Sequence, residues 1–161
     1  MLRWLLALAL TADPMLETAP SDLAPAPTPA FTQQQVDVQA ISKVLNDQYA
    51  AWNRQDLEGY LNSFWNSPNL LFVTDGQVLL GWAEVKAMIG RYYTDRNAMG
   101  VATPERVQVN MISGDSATTV DWWTVQFKTV NVHGISTSSW RKFPEGWRII
   151  ETHTSSSEFP K

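Results

Sequence analysis

The chain of 161 residues has no cysteine, which excludes disulfides and any zinc site built on thiolates. Histidine is scarce too. With only His133 and His153, a metal would have to draw most of its ligands from carboxylates, and neither a metal nor a cofactor is expected. Charged residues make up 17% of the chain, with 12 basic against 16 acidic side chains and no Lys/Arg cluster. Such a balance lacks the electrostatic footprint of a nucleic-acid binder. Glycines are few, and Gly76, Gly81 and Gly90 lie scattered, so no phosphate-cradling loop is present. There is no Gly-x-Ser-x-Gly elbow and no thiol nucleophile.

What remains is apolar and aromatic. Hydrophobic residues reach 44%, enough for one core, and eight tryptophans need a core, a pocket or an interface to occupy. Three acids, Asp13, Glu17 and Asp22, lie near the N-terminus against the single base Arg3, leaving 13 acids and 11 bases for the rest.

Met1 to Leu10 places one positive charge before a short apolar run, the layout of a secretory signal peptide with cleavage expected after Ala12. The run is well short of the roughly 20 apolar residues that span a bilayer, so no membrane association is expected after its removal. The protein is therefore expected in the periplasm or secreted; a start at Met15 would instead give a cytoplasmic form. Residues 13–31 carry five of the nine prolines and read as an extended linker. The domain is expected over 32–157, with 158–161 as a tail.

Thr32 and Gln35 form a capping-box pattern, and Ile41, Val44, Leu45, Tyr49 and Trp52 follow at helical spacing. Asp56 caps a second helix bearing Leu57, Tyr60, Leu61 and Phe64, which Pro68 ends. Leu70–Val73 and Val78–Leu80 flank Asp75-Gly76, a two-residue hairpin signal. Gly81 opens a third helix carrying Trp82, Val85, Met88, Ile89 and Tyr92 on one side. From Thr103 the period falls to two: a strand through Met111, a turn at Ser113–Ser116, and a long strand from Ala117 to Val130. A turn at His133-Gly134, a strand from Ile135 to Phe143, a turn at Pro144–Gly146 and a last strand from Trp147 to Ser155 complete a four-strand meander. The order predicts an α+β domain with helices packed on one face of a curved, mostly antiparallel sheet.

These elements resemble the SnoaL-like branch of the nuclear-transport-factor-2-like superfamily over residues 35–155. The resemblance is greatest to a subgroup of unknown function related to the association domain of calcium/calmodulin-dependent kinase. Ala51-Trp52-Asn53-Arg54-Gln55-Asp56-Leu57-Glu58, Gly81-Trp82, Arg91-Tyr92, Met99-Gly100, Gly146-Trp147-Arg148-Ile149 and His153-Thr154-Ser155 carry it. It implies a cone, in which a bent sheet wraps the first helix around an apolar cavity, and dimers formed through the outer sheet face. The superfamily holds isomerases, cyclases, dehydratases and non-catalytic proteins, so fold alone does not choose a function. The chain departs from the family pattern at Thr152, Asp121 and Ser136-Thr137-Ser138-Ser139, which implies a more polar pocket or a different sheet edge.

By strict alternation Trp147, Ile149, Glu151 and His153 share one face of the last strand, with Glu151 and His153 roughly 7 Å apart. A carboxylate and an imidazole at that spacing can share a proton or bracket a ligand; otherwise they form a solvated rim pair. Asp121 shares a face with Trp123, Val125 and Phe127. It is either a pocket acid or base, or the partner of Arg141 or Arg106, the commoner arrangement between neighbouring strands. Tyr92, Trp52, Trp65, Trp82, Trp123, Ser138 and Trp140 are the candidate pocket wall. The expected protein is thus an exported, homodimeric binder of a small, partly apolar molecule. Two alternatives stand beside it: a cofactor-free isomerase, cyclase or dehydratase using His153, Glu151 and Asp121, and an oligomerising interaction module.

Overall fold

The computed structural model describes residues 31–160, so the expected signal peptide and nearly all of the linker lie outside the described residues. Helix α1 (Gln33–Asn53) starts at Thr32, whose hydroxyl accepts from the Gln35 N–H while the Gln35 side chain accepts from the Thr32 N–H, a complete capping box. Asp56 caps α2 (Leu57–Leu61) through the Gly59 N–H at 2.8 Å. This helix is shorter than expected. Phe64 lies beyond it, in an isolated parallel bridge to Ile149.

Strands β1 (Leu71–Thr74) and β2 (Gln77–Leu80) form the hairpin predicted around Asp75-Gly76, where both residues take positive φ, 45° and 79°. Gly81 then opens α3 (Trp82–Tyr92), and a short α4 (Arg96–Met99), capped by Asp95, leads into the meander. The meander comprises β3 (Val101–Met111), β4 (Ser116–Gln126), β5 (Val130–Phe143) and β6 (Gly146–Pro160). The sheet order is β2-β1-β6-β5-β4-β3, antiparallel except where β1 runs parallel to β6. The result is the α+β cone: a curved six-stranded open sheet with the helices from the N-terminal half against its concave face.

Two further differences from the sequence expectation lie in the meander. The chain turns at Phe127–Thr129, not at His133-Gly134, and both of those residues pair within β5 against Thr124 and Trp123. Gly134 serves packing instead: a Cβ there would lie 2.1 Å from the Trp123 ring, so the missing side chain is what lets the indole lie on the strand. The expected tail also differs. Glu158, Phe159 and Pro160 continue β6, because β5 begins at Val130 and offers them partners.

Much of the core lies where α1–α3 meet the sheet: Ile41, Leu45, Leu61, Phe64, Leu70, Val85, Ile89, Trp140, Trp147 and Ile149 are all buried. Each such side chain contributes about 1.5–3 kcal/mol by leaving water. One charge sits in the same core. Asp37, 3% exposed, accepts from Lys142 Nζ at 2.6 Å, Trp147 Nε1 at 3.1 Å and Gln33 Nε2 at 3.1 Å. The lysine above all holds its carboxyl below the ordinary range, against the opposing effect of burial.

Candidate functional site

The C-terminal half of α1 borders a cavity of about 340 Å³. Leu45, Gln48, Tyr49 and Trp52 face it from α1, at the three- and four-residue spacing that puts them on one side of the helix. Tyr60, Phe64, Phe72 and Tyr93 close that wall. Neighbouring rings touch in series: Tyr93 to Trp52 at 4.8 Å, Trp52 to Tyr60 at 5.2 Å, Tyr60 to Phe64 at 5.6 Å and Phe64 to Phe72 at 5.6 Å. The chain of tilted and edge-to-face contacts fixes the rings against one another. Trp52 is further held by a bond from Nε1 to the Met99 carbonyl at 3.0 Å.

The opposite wall is the sheet, where a polar row stands among Trp123, Val125, Val132 and Ile149. Strand pairing sets Asp121, Ser136, Thr154 and Thr74 side by side across β4, β5, β6 and β1, and all four line the cavity. Ser138 and Thr152 stand in the next row. The hydroxyls pair across the strands, Ser136 with Thr154 at 3.0 Å and Ser138 with Thr152 at 2.9 Å. Trp123 donates from Nε1 to Ser136 Oγ at 2.9 Å. Asp75, Ser156 and Glu158, all exposed, form part of the rim, where Ser156 donates to Asp75 at 3.1 Å.

Asp121 is the one deeply buried charge in this lining, at 4% exposure. The Tyr49 hydroxyl donates to it at 2.6 Å, a short charge-assisted bond. Burial raises the Asp121 pKa above the ordinary carboxylate value, and the bonds from Tyr49 and from its own backbone N–H only partly offset this. Burial and the adjacent carboxylate push the Tyr49 hydroxyl up as well, so it stays protonated and acts as the donor. The expected partnership of Asp121 with an arginine does not form: Arg106 lies over the Trp122 ring at 4.7 Å, and Arg141 is exposed. Among the described residues no ion pair reaches Asp121.

Glu151 and His153 do not reach the cavity, and both are exposed. The cause is a bulge. Trp140 pairs with Ile149 and Ser139 with Glu151, so Ile150 has no partner and the alternation shifts by one residue. Thr152, Thr154 and Ser156 take the inward positions in their place. Tyr92 is also outside, 57% exposed. Helix α3 ends there, and Tyr93, no longer helical, turns onto Trp52.

Of the remaining aromatic candidates, Trp52 and Trp123 line the cavity, as does Ser138. Trp65 stacks on Phe143 at 5.7 Å, Trp82 donates to the Leu61 carbonyl at 3.4 Å, and Trp140, 1% exposed, donates to Thr119 at 2.9 Å; none of the three lines the cavity. Sequence reading placed Tyr49 on the inner face of α1 but gave no sign of its bond to a residue 72 positions away. Among the described residues no three His, Asp or Glu side chains gather in a way that could hold a metal.

A helix-filled cone with a cavity between an aromatic wall and the sheet defines a protein of the nuclear-transport-factor-2-like class. It is similar to a nuclear-transport-factor-2-like protein of unknown function from Shewanella oneidensis, at 27% identity and a TM-score of 0.70 over 73% of this chain and 98% of that one. A DUF3225-family protein of unknown function from Pectobacterium atrosepticum matches at 21% identity and a TM-score of 0.64, over 78% and 94% of the two chains. The hexachlorocyclohexane dehydrochlorinase LinA-type3 from Novosphingobium barchaimii shares the fold at 10% identity and a TM-score of 0.67, over 80% and 92%. The sequence profile of the AtzH-like family matches residues 32–159, and the chain belongs to that family. No curated protein matches it.

Proposed function

We propose that the protein binds a small, partly apolar molecule in the cavity, with the apolar body against the Trp52–Tyr60–Tyr93 wall and a polar group against the row Asp121–Ser136–Thr154. The observation that carries this reading is the cavity's mixed lining: packed rings on the helix side, and on the sheet a row of hydroxyls and a buried carboxylate set among apolar side chains. Such a lining recovers apolar burial and hydrogen bonding from a single ligand. Export is part of the proposal and rests on the Met1–Ala12 segment.

Naphthylmethanol, an apolar body with one hydroxyl, tests it. Calorimetry and tryptophan fluorescence should show saturable binding at one site, with Trp52 and Trp123 reporting. Val132→Trp, beside Glu158, should block it. Absence of heat and of any fluorescence change up to the solubility limit would overturn the reading.

A second reading is favoured by one observation, the Asp121–Tyr49 pair. A buried carboxylate with a raised pKa can take a proton from a bound carbon acid and return it elsewhere, the step an isomerase or dehydratase needs. Exchange of the methyl protons of acetonaphthone in heavy water, followed by NMR, tests this; it should be accelerated by the protein and lost in Asp121→Asn. An unchanged exchange rate with the protein present would count against it.

A further inference from the structure

We propose that the molecule taken by this cavity is a cation, a protonated amine carried on an aromatic or aliphatic body, with its ammonium group at Asp121. The inference rests on the reading of the cavity as a binding site and adds the charge of its occupant.

Three observations converge on it. The first is sign: Asp121, Asp75 and Glu158 line the cavity, and among the described residues no Lys, Arg or His does. A carboxylate or phosphate ligand would meet repulsion from rim to floor, with no charged donor to offset its desolvation. An ammonium group meets the opposite sign throughout.

The second is the wall itself. Tyr60, Trp52, Tyr93 and Trp123 bring aromatic rings to the cavity, and the negative faces of such rings attract a desolvated cation by about 0.5–2 kcal/mol. A neutral ligand draws on the same rings through apolar contact alone.

The third is an uncompensated charge. Asp121 is as buried as Asp37, but Asp37 has a lysine at 2.6 Å and Asp121 has only hydrogen-bond donors. An ammonium at Asp121 supplies there what Lys142 supplies to Asp37. Its N–H groups can also reach lone pairs on Ser136 and Thr154, which stand in the same row.

The test compares three ligands of nearly one shape by calorimetry at neutral pH: naphthylmethylammonium, naphthylmethanol and naphthoate. The ammonium compound should bind at least about tenfold more tightly than the alcohol, and naphthoate should not bind measurably. Asp121→Asn, close in shape, should reduce the preference for the ammonium to about threefold or less. Equal binding of alcohol and amine, or tight binding of naphthoate, would overturn the inference while leaving the cavity as a binding site. Failure of all three to bind would overturn both readings. The ligand comparison needs no variant, so a misfolded Asp121→Asn protein would leave it intact.

Discussion

Two aspartates, Asp37 and Asp121, are buried to nearly the same degree, 3% and 4% exposed, and their surroundings are opposite. Both belong to the space between α1 and the sheet. Asp37 lies near the start of α1, and Tyr49, the partner of Asp121, lies twelve residues on, about 18 Å along the axis. Around Asp37 the chain has placed Lys142, Trp147 and Gln33, and the charge is neutralised within the protein. Around Asp121 it has placed a phenol, hydroxyls, aromatic rings and open volume. The first arrangement fixes α1 to the β5–β6 hairpin. The second leaves a charge whose compensation must come from solvent, a proton or a ligand. The contrast separates a carboxylate neutralised within the fold from one that is not, when burial alone does not.

The largest expected effect falls on the structural side. Lys142→Met leaves Asp37 buried without its cation and should cost about 2–3 kcal/mol in urea unfolding. This lies at or below the lower end for a fully buried pair, because the lysine is partly exposed. A loss under about half a kcal/mol would mean that Trp147 and Gln33 suffice to hold the charge.

Gly134→Ala comes next. The added methyl collides with the Trp123 ring, and the swing of that indole should cost about 1–2 kcal/mol and change its fluorescence. Wild-type stability and an unshifted spectrum would show that β5 yields instead of the tryptophan.

Asp121→Asn should go the other way, stabilising the protein by up to about 1 kcal/mol at neutral pH, since it removes a charge the fold holds at a cost. Destabilisation by more than that would mark Asp121 as structural, like Asp37.

The smallest effect is one of pH. Asp37 has a native pKa below its unfolded value, so its stabilisation is complete above about pH 4 and is lost as pH falls from there through the native value. Asp121 has a raised native pKa, so its ionisation opposes folding above that value and the penalty is relieved as pH falls through it. The stability advantage of Asp121→Asn should therefore shrink on acidification and vanish below about pH 4. An advantage that persisted or grew in acid would reverse the sign assigned to Asp121.

Local signals in the sequence carried much of the fold. The Thr32–Gln35 box, the Asp56 cap and the Asp75-Gly76 turn each depend on residues within a few positions, and each stands where the sequence pattern put it. The errors arose where a distant contact decides. His133-Gly134 has the composition of a turn, but Gly134 is small for the sake of Trp123, while the actual turn at Phe127–Thr129 contains neither Gly nor Pro. The unpaired Ile150 displaced the expected site by one position, taking Glu151 and His153 out of the interior and bringing Thr152 and Thr154 in. Alternation cannot foresee such a slip, because it assumes that none occurs. Asp121 stood out as a carboxylate on an apolar face, but its bond to Tyr49 joins two elements whose sequences carry no shared mark.

The most direct measurement is NMR titration of the carboxyl carbons of Asp37 and Asp121, with and without naphthylmethylammonium. Asp121 should titrate above the ordinary carboxylate range in the free protein and fall when the amine binds, while Asp37 titrates below that range in both samples. An Asp121 that ionises in the ordinary range, or that ignores the amine, would contradict the account.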